Sequence, residues 1–241
     1  MSRRLLGLLA ATTAWACVAA QSPATAATGE TYGDYSMMFA KRAGQFAPDG
    51  GPAYQWGWRP QAGGRSRISW GDPKPWPPAS SERFLRSGDW VLLDGYTNGS
   101  TDNFQRVTSE QLGDSACRNL RALPSDGGRQ HYVRWRIPAT GYCLRAQGTI
   151  NAPHYPRPVR FQHNQVWYPP SPCSVPAYPN QVCIRQHEEW YDDNGHAYSK
   201  VLERDQYLAR GLGMAFRIDT SFNNRAPADW HARMTSSWNW Q

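Results

Sequence analysis

The chain reads as mainly β: an antiparallel β-sandwich or jelly roll with one or two short helices, stapled by disulfides. Three observations carry that reading. Apolar residues recur at every second position through the second half, glycine and proline punctuate the first half at short intervals, and four cysteines lie beyond an N-terminal leader. Period two marks half-buried strands, because successive side chains on an extended backbone point to opposite faces.

Taken in order, the elements begin with an export address. Arg3 and Arg4 precede an apolar run over residues 5–20, and Ala24, Thr25 and Ala26 offer small side chains for cleavage. The expectation is a signal peptide over residues 1–26, followed by a single secreted β-rich domain over 27–241. The run is short for a membrane-spanning helix. An arginine pair also begins twin-arginine leaders, but an ordinary positive n-region accounts for it, so the general secretory route is expected. Cys17 follows Trp15 and Ala16, lacks a lipid-attachment context, and leaves with the leader.

Between residues 28 and 80, Gly50-Gly51-Pro52, Gly63-Gly64 and the proline-rich run over 73–78 mark turns. Strands are expected over 53–59 and 65–70, and a helix over 35–46 that Gly44 weakens. Residues 89–96 form a strand with apolar side chains on both faces. Over 107–123, Leu112, Ala116, Leu120 and Leu123 recur at helical spacing behind a Thr108 or Ser109 cap, predicting the main helix. Strands follow over 130–138, 142–150 and 159–167. Residues 182–192 and 196–209 flank Asp193-Asn194-Gly195, a strong hairpin turn. A last alternation sets Leu212, Met214, Phe216 and Ile218 against Gly213, Ala215, Arg217 and Asp219. The tryptophan-rich C-terminus is expected to dock rather than fray.

Composition narrows the function classes. The chain holds 26 Lys and Arg against 19 Asp and Glu, a net charge of +7 that falls to +5 without Arg3 and Arg4. Lys41, Lys74 and Lys200 are the only lysines. So modest a surplus, almost all arginine, does not call for nucleic acid. Cys117, Cys143, Cys173 and Cys183 read as two disulfides in an oxidising compartment, with three connectivities open. Cys117–Cys143 with Cys173–Cys183 is favoured, because the second pair brackets a proline-rich stretch over 174–180. No tight Cys-x-x-Cys pair points to zinc, and neither a metal nor a cofactor is expected. Twelve tryptophans and twelve tyrosines supply both core material and platforms for sugar rings.

One charge asymmetry stands out. Between Gly127 and His187 there is no Asp or Glu, while arginines and histidines abound. Strand parity sends Tyr132, Arg134, Arg136, Arg145, Gln147, Arg160, Gln162 and Arg185 to one outward face, a surface suited to carboxylate, sulfate or a sugar. The plainer alternative is a solvated face whose acids come from Glu188, Glu189, Asp192 and Asp193. On the 182–209 hairpin, His187, Glu189 and Tyr191 share a face and are the acid–base candidates, with Gln186, Glu188 and Trp190 on the other. Gln162-His163-Asn164 would suit β-elimination from a uronic acid polymer, but parity turns His163 inward with Phe161 and Trp167. A hydrolase would need paired carboxylates, such as Glu188 or Glu189 with Glu203, Asp205 or Asp219. No serine elbow or phosphate-cradling glycine loop is present.

The expectation is a secreted protein that engages an extracellular polysaccharide, neutral or acidic, through this aromatic and arginine-rich face. It has no nucleic-acid partner and no membrane association after leader removal. The rivals are a polysaccharide hydrolase or lyase using His187, Glu189 and Tyr191, and an inhibitor or toxin presenting the Cys173–Cys183 loop.

Overall fold

The structure, a computed structural model, describes residues 29–48, 53–71, 80–98, 101–151, 155–174, 178, 180–222 and 230–239. The leader, the proline-rich run over 73–78 and residues 175–177 and 179 of the loop between Cys173 and Cys183 lie outside the described residues. Among the described residues one short helix, α1 (Tyr32–Ser36), precedes fifteen strands: β1 (Arg42–Pro48), β2 (Tyr54–Gln61), β3 (Arg65–Gly71), β4 (Ser80–Ser87), β5 (Trp90–Asn98), β6 (Thr101–Gly113), β7 (Arg121–Ala122), β8 (Gln130–Arg134), β9 (Tyr142–Asn151), β10 (Val159–Trp167), β11 (Ser171–Pro172), β12 (Val182–Asp192), β13 (Ser199–Ala209), β14 (Gly213–Phe222) and β15 (Trp230–Asn239).

All fifteen strands belong to one antiparallel, barrel-like sheet. Hydrogen-bonded neighbours run β6-β9-β10-β12-β13-β14-β15-β1-β2-β3-β4-β5, and a β5–β6 pairing returns the path to its start. Strands β7, β8 and β11 attach to β6, β5 and β12 outside that ring. The C-terminal β15 docks between β14 and β1, so the aromatic tail is a sheet element. At one end α1 buries Tyr32 and Tyr35, the turn after it buries Met38, and Tyr32 meets Trp167 edge-on with ring centroids 5.6 Å apart. Thr31 ties the helix start, its N–H and hydroxyl both donating to Asp34 Oδ2.

Both disulfides take the favoured connectivity, Cys117–Cys143 and Cys173–Cys183, with Cα atoms 5.3 and 4.9 Å apart. Two disulfides and a β-rich fold fit an oxidising, extracytoplasmic compartment.

Two expected helices are absent. Residues 107–113 finish β6, where Asn103, Gln105 and Val107 are buried between exposed Phe104, Arg106 and Thr108. A bulge at Thr108 then turns Glu110 and Leu112 inward. Beyond Gly113 the Asp114 carboxylate accepts the N–H groups of Ala116 and Arg118, and Cys117 and Asn119 take left-handed φ of 58° and 51°. A helix cannot run through such a turn. The helix over 35–46 is also corrected: α1 ends at Met37 with φ 59°, and Gly44 lies in β1. A Cβ on Gly44 would meet the Trp56 indole nitrogen at 2.6 Å, so the glycine makes room for a buried tryptophan.

Candidate ligand cavity and outer sheet face

Alternation divides β9, β10, β12 and β13 into an outer and an inner set. The outer set contains most of the expected site residues. Register places Arg145, Asn164, Glu189 and Glu203 in one cross-strand row, with Gln147, Gln162, Tyr191 and Lys200 in the next. These side chains already bond one another. Gln147 Nε2 donates to Gln162 Oε1 at 2.7 Å, Gln162 to Asn164 at 3.0 Å, and Asn164 to Glu189 at 3.2 Å. Lys200 Nζ then bridges Glu189 (3.3 Å) and Glu203 (2.5 Å).

The outward arginines also have acids at hand. Arg185 lies 3.0 Å from Asp205, Arg134 lies 3.5 Å from Asp89, and Arg157 and Arg160 share Asp193 at 3.0 and 2.9 Å. Arg136 lies beyond β8, where it bridges to Thr31 through its backbone. The acid-free segment thus draws its counter-charges from other strands. His187 donates to Asp205 rather than to Glu189 or Tyr191; that bond, against the effect of burial, holds its pKa above the ordinary imidazole value. His187, Glu189 and Glu203 lie close enough together to hold a cation. The Lys200 ammonium already sits against both carboxylates.

Tyr132 departs from the expected outer face. A bulge opposite Val91 and Leu92 interrupts alternation in β8, and Gln130, His131, Tyr132 and Val133 are all buried. The tyrosine reaches inward, packs edge-on against Phe84 at 5.0 Å, and its hydroxyl donates to Gln186 Oε1 at 3.4 Å. Burial foremost, with Glu188 nearby, drives its pKa well up, so it stays a neutral donor.

The inner set is unexpectedly polar. Gln165, Glu188, Arg204 and Asp219 form a continuous row across β10, β12, β13 and β14, and Trp167, Gln186, Gln206 and Arg217 form the row beside it. Glu188 accepts from Arg204 Nη1 (3.1 Å), Gln206 (3.2 Å) and His163 Nε2 (3.2 Å). Amides of Gln130 and Gln165 point at His163 Nδ1 from 2.8 and 3.1 Å, which assigns the ring proton to Nε2. Arg204 Nε and Arg217 Nε both donate to Asp219 Oδ1 at 2.8 Å. Burial pushes the carboxyls of Glu188 and Asp219 up, but His163 and Arg204 at the first, and Arg204 and Arg217 at the second, outweigh it and hold both below their usual values.

These inner walls enclose a cavity of about 360 Å³, within the roughly 300–1,000 Å³ common to small-molecule sites. Its lining runs from Tyr32 and Ser36 of α1 to Tyr155 and Asn194 at the opposite end. Trp58, Trp70, Phe84 and Trp190 supply aromatic surface between them. The Trp70 indole N–H and the Gln105 amide oxygen, both on lining residues, are buried without a hydrogen-bond partner. Glu82 also lines the cavity, and its pKa is raised to about 7 by burial first and by Glu188 second, with Arg204 and Arg217 offsetting part of the rise.

The sequence reading missed Glu82, Arg204, Arg217 and Asp219 as a group. One signal was available: Leu202, Arg204, Gln206 and Leu208 share a parity, as do Glu82 and Phe84, so polar groups occur at positions that otherwise face the core.

No protein-family model and no curated protein matches the chain. Among solved structures, it is similar to a Bacteroides fragilis NCTC 9343 protein described as a candidate exported protein with a YmcC-like fold. The TM-score is 0.38 and the identity 9%, over 85% of this chain and 98% of that one.

Proposed function

We propose that the protein binds a glycan, and that it receives a sugar unit in the interior of the barrel-like sheet rather than on the outer face. The observation that carries this reading is the composition of the cavity wall. Aromatic surfaces at Trp58, Trp70 and Trp190 suit the apolar faces of a pyranose ring, while the unpartnered Trp70 indole N–H and Gln105 amide oxygen, with the Glu82 carboxyl, supply a donor and acceptors for its hydroxyls. The outer residues Arg134, Arg145, Gln147, Arg160, Gln162 and Arg185 support it less, because many of their polar groups already have protein partners. Calorimetric titration with mono- and disaccharides tests the reading. Saturable heat that disappears on filling the cavity, as in Leu202→Trp, is expected; heat unchanged by that substitution would overturn it.

One observation favours hydrolysis as a second reading. Glu82 and Glu188 line the same cavity with pKa values displaced in opposite directions, as a general acid and its partner carboxylate require. Release of reducing ends from an oligosaccharide, abolished in Glu188→Gln, would establish it. The outer trio His187, Glu189 and Tyr191 has no part in that chemistry.

A further inference from the structure

The cavity wall carries three carboxyls, Glu82, Glu188 and Asp192, against the Arg204 guanidinium, and Asp192 is already bonded by Trp190 Nε1, the Asn194 N–H and His196. Glu188 and Asp219 are matched by Arg204 and Arg217 at 2.5–3.1 Å. Glu82 has neither a hydrogen bond nor an ion pair among the described residues. It is partly exposed, yet burial is the first cause of its raised pKa, so the surface it exposes belongs to the cavity.

What surrounds this carboxyl is aromatic and apolar. Register sets Trp58, Ile68, Glu82 and Tyr96 in one row across β2, β3, β4 and β5. Phe84 follows Glu82 two residues along the same strand and packs against Trp58 with centroids 5.6 Å apart. Trp70 lies one inward position away on β3, next to Ile68. A buried carboxyl lacking a counter-charge is costly. Aromatic faces around it attract cations through their ring quadrupoles. Arg204 and Arg217 offset only part of the cost of ionising Glu82, so an anionic ligand beside it would add to that cost and a cationic one would relieve it.

We propose that the ligand of this cavity carries an ammonium group, received by Glu82 between Trp58, Trp70 and Phe84. This rests on the glycan reading and narrows it to an amino sugar whose nitrogen is not acetylated. Binding then gives the carboxyl a directly bonded counter-charge, and the sugar ring stacks on the neighbouring indoles.

Calorimetry on the intact protein with the β-1,4-linked glucosamine disaccharide and its N,N′-diacetyl counterpart, for wild type and Glu82→Gln, tests this. The expected result is binding of the free amine about tenfold or more tighter than the acetylated form, the strength of a charge-assisted bond. Glu82→Gln should remove that advantage, bringing the affinities for the two disaccharides within about twofold of each other. Thermal melts of the variant confirm that it is folded. Equal affinities for the two disaccharides, with no effect of the substitution, would overturn the ammonium assignment and leave the glycan reading standing. Binding of neither disaccharide would overturn both.

Discussion

Glu82 makes the sharpest residue-level prediction. Its folded pKa, about 7, lies above its ordinary value of 4.5. Between those values the folded state holds a proton that the unfolded chain releases, so stability falls as pH rises through that window. Glu82→Gln removes the titration. Thermal melts should give wild type and variant similar Tm values at pH 4, and a higher Tm for the variant at pH 8, by on the order of 2–3 kcal/mol of stability. His187, with its raised pKa, also loses stabilisation as pH rises above 6.5, so the difference between the two proteins isolates Glu82. The depressed carboxyls of Glu188 and Asp219 act in the opposite sense: their stabilisation is present above about pH 4 and lost as pH falls through their folded values. Arg204 is the keystone of that network. Arg204→Met leaves both carboxylates short of a buried partner and should cost about 3–5 kcal/mol in denaturant unfolding. Arg185→Ala on the outer face, where Arg185 is 41% exposed, should cost about 1 kcal/mol or less.

At the scale of elements, what could be read from sequence depended on unbroken alternation. In β9, β10 and β12 the inward positions are Tyr142, Leu144, Ala146, Phe161, His163, Trp167, Gln186 and Glu188, the parity that period two assigns. Where a strand bulges, the reading fails. In β14 two irregularities opposite β13 place Met214, Arg217 and Asp219 beside inward Leu208, Gln206 and Arg204, whereas the sequence alternation grouped Met214 with Phe216 and Ile218. Phe216 instead packs outside with Tyr207, rings 6.0 Å apart, over the Cys173–Cys183 cluster. The supposed helix over 107–123 arose because Leu112 and Leu120 sit at a helical spacing that spans a strand end and a turn. The interior site stayed hidden for a related reason: polar residues at alternate positions are assigned to solvent, yet a barrel-like sheet encloses a surface of its own. Gly44 tests how tightly that interior is filled. Gly44→Ala drives a methyl into the Trp56 indole and should destabilise by about 1–3 kcal/mol, measured by urea unfolding.

For the whole molecule, the two disulfides and the strand ring divide the work of holding the cavity open. Cys117–Cys143 spans 26 residues and fixes the turn after β6 to β9, while Cys173–Cys183 spans 10 and covers the outer side of β12. Loop-closure entropy assigns about 3–4 kcal/mol to the first and about 2–3 to the second. Replacing the first pair by serine should therefore lower Tm more than replacing the second, and losing both should lower it most. Neither loss should change which face binds ligand, since the inner rows are set by strand register. The central claim is that the inner surface, not the outer, is the binding surface. The most direct measurement compares Leu202→Trp, which fills the cavity, with Arg160→Ala and Arg185→Ala on the outer face, in calorimetric titration with the glucosamine disaccharide. The account predicts that binding is lost in the first and retained within about twofold in the other two. Retention in Leu202→Trp together with loss in the arginine variants would contradict it.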